Sequence, residues 1–70
     1  MIKFENKQNG RYFYILIEKD LLNDLVLRIV YGSRHISRSR IVFCDSRMAL
    51  DKQINRLSKR RIQRGYVLIT

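Results

Sequence analysis

Seventy residues suffice for one domain with one small core, which excludes a second globular unit or a large buried active site. Fifteen Lys and Arg against six Asp and Glu leave a formal net charge of +9 and a pI near 10.5, so the expected partner is a polyanion. The single cysteine, Cys44, excludes an internal disulfide and a Cys-based zinc site and suits a reducing cytoplasm, while every apolar run is too short to cross a bilayer.

Taken in chain order, the N-terminal MIKFENKQNGR lacks the apolar segment of a signal peptide. RYFYILIE, residues 11 to 18, is aromatic and β-branched and reads as a strand, with Phe13, Ile15 and Ile17 on one face and Tyr12, Tyr14 and Leu16 on the other. KDLLND, residues 19 to 24, supplies the Asp and Asn of a turn, and LVLRIVY then alternates as a second strand, so the two form an antiparallel hairpin. After the basic stretch YGSRHISRSR, residues 31 to 40, RIVFCD at 40 to 45 is a third strand.

Asp45 or Ser46 is placed to cap a helix over roughly 46 to 64. At about 100° per residue, Leu50, Ile54 and Leu57 cluster within about 60°, with Lys52, Arg56, Lys59 and Arg60 on the opposite side. Arg61 falls near the apolar face, where it either lays its stem over the sheet or pairs with Asp20 or Asp24. Gly65 is the left-handed stop, and YVLI, 66 to 69, returns as a short strand. The expected architecture is α+β: a small antiparallel sheet of about four strands with one helix on one face. Residues 1 to 70 form a single domain in this reading.

Charge is unevenly spread. Residues 1 to 33 carry net +1 and residues 34 to 64 carry net +8. A basic half spanning loop and helix reads as a phosphate footprint, because counterion release needs several cations on one surface; the plainer reading is a small soluble basic protein. Arg34, Arg38 and Arg40 share a parity, so an extended 34 to 40 would project all three from one face about 6 to 7 Å apart. Against that phosphate ladder stands a solvated hairpin loop whose arginines simply stay in water.

FYILIEKDLLNDLVLRIVYGS, residues 13 to 33, resembles the start of WGR domains, small modules named for a Trp-Gly-Arg triplet that follows a Phe-Tyr-like strand, an Asp-Leu turn and a second strand. RLSKRRIQRGY, residues 56 to 66, is similar to the basic helix end and Gly-Tyr with which that family closes. The resemblance implies a non-catalytic module that contacts DNA at breaks. Gly32 matches the triplet's glycine, Tyr31 stands at its tryptophan and Ser33 at its arginine. Tyr31 keeps an aromatic surface for packing near a sugar or terminal base. Ser33 supplies no guanidinium, and Arg34, one residue on, points the other way in an extended segment.

Other chemistry is sparse. Cys44 reads as a small core residue, His35 as a loop histidine without a second ligand, and Asp45 and Asp51 as a cap and an N-terminal helix charge. Tyr12, Phe13 and Tyr14 are either a stacking platform or core. No enzyme, cofactor, metal, membrane contact or small-molecule substrate is expected. The expectation is a cytoplasmic DNA-binding protein that meets phosphates through Arg34, Arg38, Arg40, Lys52, Arg56, Lys59, Arg60 and Arg64, with Tyr31 and Gly32 at the contact. RNA binding is a variant of this reading; docking of an acidic protein partner is the alternative.

Overall fold

The strict alternation of RYFYILIE makes a strand with two unlike faces, and that strand organises the molecule. The structure is a computed structural model describing residues 1–70. Strand β2 (Arg11–Lys19) buries Phe13 and Ile15 on one side and leaves Tyr12, Tyr14 and Leu16 half-buried on the other. It pairs antiparallel with β3 (Leu25–Gly32) and with β1 (Ile2–Asn6). β4 (Ser37–Phe43) adds to β3 and β5 (Val67–Leu68) to β1, giving a five-stranded sheet in the order β4-β3-β2-β1-β5. Helix α1 (Arg47–Gln63) follows β4 and completes an α+β fold.

Local chemistry sets the turns. Asp20 Oδ1 accepts from the Leu22 and Asp24 amides, both at 2.9 Å, and Asn23 takes φ 67°, a conformation Asn tolerates better than most residues. The β2–β3 hairpin therefore closes where the sequence places it. The basic stretch behaves differently. Only Ser33 to Ile36 form a turn, in which the Ser33 amide donates to the Ile36 carbonyl at 2.8 Å, and β4 begins at Ser37 rather than at residue 40.

The helix starts at Ser46, whose Oγ accepts from the Ala49 amide at 3.1 Å. It ends in a Schellman arrangement: Gly65, at φ 87°, donates to the Ile62 carbonyl and Tyr66 to that of Arg61. Asn6, buried on β1, donates through Nδ2 to the Arg64 carbonyl at 3.4 Å and accepts from the Gln8 amide at 3.0 Å. One side chain thus ties the helix end to the first hairpin. No helix is long and apolar enough to cross a membrane.

The main core lies on one side of the sheet, with Val26 alone buried on the other. Leu50 and Leu57 from α1 meet Phe4, Phe13, Ile15, Leu27 and Ile29 from the sheet, and burying each such side chain contributes about 1.5–3 kcal/mol. Ile54 and Cys44 pack at its margin. β1 is a fifth strand beyond the four expected, and it matters: Phe4 belongs to the core and Glu5 to the pairing with β5.

Candidate nucleic-acid interface

Register decides which arginines share a surface. Opposed residues of an antiparallel pair emerge on the same face, and Phe13 opposes Tyr31, which opposes Arg38, while Ile15 opposes Ile29, which opposes Arg40. Ile15 and Ile29 lie in the core with the helix. Arg38 and Arg40 therefore project from the edge strand on the helix-bearing side. Arg34 does not join them: it sits in the turn, which breaks the extended segment that the three-arginine ladder required. The ladder is reduced to two.

At the end of the sheet where β2 starts, β3 ends and α1 finishes lies an open cleft of about 250 Å³. Tyr31, Gly32 and Ser33 line it together with Arg38. Arg11, Arg61, Tyr12, Tyr66 and Ile36 complete the wall. Three guanidiniums and no carboxylate face this space. The two ion pairs of the chain lie elsewhere, Arg28 with Glu18 at 2.6 Å and Arg47 with Asp51 at 3.4 Å.

Gly32 is required by close approach. A Cβ there would stand 1.9 Å from the Ile36 carbonyl oxygen, so the chain folds back over this residue only because it has no side chain. Tyr31 is half-buried against the core, its ring 6.4 Å from that of Phe13 and tilted by 35°. It offers the cleft a partial wall rather than a free stacking face.

Arg61 is the least ordinary group. Its guanidinium lies 4.4 Å from the Phe13 ring centre and 5.2 Å from that of Tyr66, so two aromatic faces supply cation–π attraction. Its Nε is buried with no protein acceptor. Burial pushes its pKa down, Tyr66 partly offsets this, and the neighbouring Arg64 and Arg60 add to the depression. The pairing with Asp20 or Asp24 does not form; Asp20 Oδ1 is engaged by its own turn. A partly desolvated cation with unused hydrogen-bonding capacity gains from an anion that brings oxygen acceptors.

The helix cations Lys52, Arg56, Lys59 and Arg60 are exposed, as is Arg64 at the C-cap. None is paired with an acid. Arg11, Arg61 and Tyr66 were absent from the sequence-derived site. Parity holds a signal for the first, since Arg11 lies two residues before Phe13 and so on its face; the other two depend on how the helix ends. Neither a protein-family model nor a curated protein nor a solved structure matches the chain.

Proposed function

We propose that the chain is a non-catalytic, WGR-like module of the cytoplasm that binds DNA, as duplex or duplex end, through its phosphates. The observation that carries this reading is the cleft in which Arg11, Arg38 and Arg61 surround Tyr31 and Gly32 without a carboxylate. Arg40 projects from the same side of the sheet, and the exposed cations of α1 extend the positive surface. Such a surface reads charge spacing along a backbone, which positions a protein on DNA without selecting its sequence. Tyr31 and Tyr66 offer apolar edges to a sugar or terminal base.

Anisotropy of a labelled short duplex tests it, with a nicked duplex, an intact circle and single strands as competitors. Tighter binding to ends or nicks, with affinity falling steeply as salt rises, is the expected result. Absence of binding at low salt would remove nucleic acid from the account.

A further inference from the structure

On the second face of the sheet only Val26 is buried. α1 packs on the side of Phe13 and Ile29, while the alternate residues Tyr12, Tyr14, Leu16, Val30, Ile41 and Phe43 emerge on the other. Phe43 is 73% exposed and Ile41 44%, on an edge strand whose other neighbours on this face are serines. Exposed apolar and aromatic groups set around the Arg28–Glu18 pair fit a contact with another macromolecule.

Charge narrows the occupant. The face carries Lys3, Glu5, Glu18 and Arg28, two of each sign, so it contributes nothing to the net +9. Arg28 and Glu18 neutralise each other at 2.6 Å. Lys3 lies 5.4 Å from the Tyr14 ring centre, close to Glu5 on the same strand. A polyanion gains little on a neutral face when the opposite one is strongly basic. A second copy fits better: the neutral face is where two highly basic chains repel least, and its mixed charges can pair unlike signs across a two-fold axis.

Size agrees. The molecule measures 39 × 23 × 16 Å, and a face bounded by the two longer dimensions matches the roughly 800 Å² per partner of a standard interface. A core of few residues on one side of a sheet also leaves a small chain with stability to gain from association.

We propose that this protein forms a homodimer by packing the open faces of two sheets together, leaving both helix-bearing surfaces outward. The dimer does not rest on the nucleic-acid reading; only the consequence that it would hold two phosphate backbones on opposite sides does.

Sedimentation equilibrium across a dilution series tests it. At about 100 μM, above the micromolar dissociation range assumed for such an interface, the wild-type mass is expected to be twice the 8.5 kDa of one chain. Phe43→Glu should dissociate it at least about tenfold more readily, with an unchanged far-UV circular dichroism spectrum. Should that variant not fold, added salt decides on the wild type: screening the repulsion between two +9 chains must strengthen the dimer. A single-chain mass at every concentration, a dimer insensitive to Phe43→Glu in a folded variant, or one weakened by salt overturns the proposal. So does an oligothymidine strand that quenches tyrosine fluorescence and splits the dimer, since it would make single-stranded nucleic acid the occupant.

Discussion

One face of the sheet is basic and the other charge-balanced, although their residues alternate along the same strands. On the helix side, Phe13, Ile15 and Ile29 form the core, and the arginines that exceed its width, Arg38 and Arg40, emerge beside it. On the open side, charges balance and apolar exposure runs from the buried Val26 to Phe43 at 73%. The difference teaches that a period of two distributes chemistry as strictly as it distributes hydrophobicity: each arginine of β4 is assigned to a face by its register with β3.

The largest break in this comparison comes from the core. Leu50→Ala removes a side chain with 0% exposure and should cost about 2–5 kcal/mol, whereas Phe43→Ala on the open face, measured below the dimer range, should cost under about 0.5 kcal/mol. Urea unfolding of both variants gives the ratio. Comparable losses would mean the open face is packed in the monomer.

Gly32→Ala comes next. The added methyl cannot coexist with the Ile36 carbonyl, so the turn must open at a cost of about 2 kcal/mol or more. Amide chemical shifts should move from Tyr31 to Arg38 and leave the β2–β3 turn at Asp20 to Asp24 unchanged.

Arg61→Met separates stability from binding. Loss of the cation–π contacts is set against relief of a desolvated charge, so the unfolding free energy should change by less than about 1 kcal/mol, while DNA affinity falls about tenfold. The pH dependence has a definite sign. Because the folded-state pKa of Arg61 is lowered by burial, its charged form is penalised in the fold at all lower pH, and the penalty is relieved only as pH rises through that value toward the ordinary arginine range. Stability should therefore show no Arg61-dependent step between about pH 6 and 9, and equilibrium unfolding of the wild type and Arg61→Met across that range should run parallel. Ser46→Ala, which removes the N-cap acceptor, should cost about 1 kcal/mol, read from the same unfolding curves.

Much of the frame was legible in the residues. The β2–β3 hairpin, the helix with its Leu50 and Leu57 face, the Ser46 cap and the Gly65 stop rest on local signals, period and turn chemistry, and they stand in the structure. β1 was not read because IKFEN is short and half polar. It is held by the hairpin with β2 and by pairing with β5, which is distant in sequence. Arg34 was assigned to the ladder because parity was carried through residues that in fact turn. The cleft is hidden from sequence for a related reason: Arg11 shares it with Arg61 and Tyr66 only once the Schellman turn and the Asn6 bond fix the helix end.

The central claim is that phosphate recognition belongs to the helix-bearing side alone, and the salt dependence of duplex binding tests it most directly. Anisotropy titrations at several salt concentrations would compare the wild type with the triple variant Arg38→Ala, Arg56→Ala, Arg60→Ala and with Lys3→Ala on the open face. The account predicts a log–log slope shallower by about two to three for the triple variant and an unchanged slope for Lys3→Ala. Equal slopes for the wild type and the triple variant, or a larger change from Lys3→Ala, would contradict it.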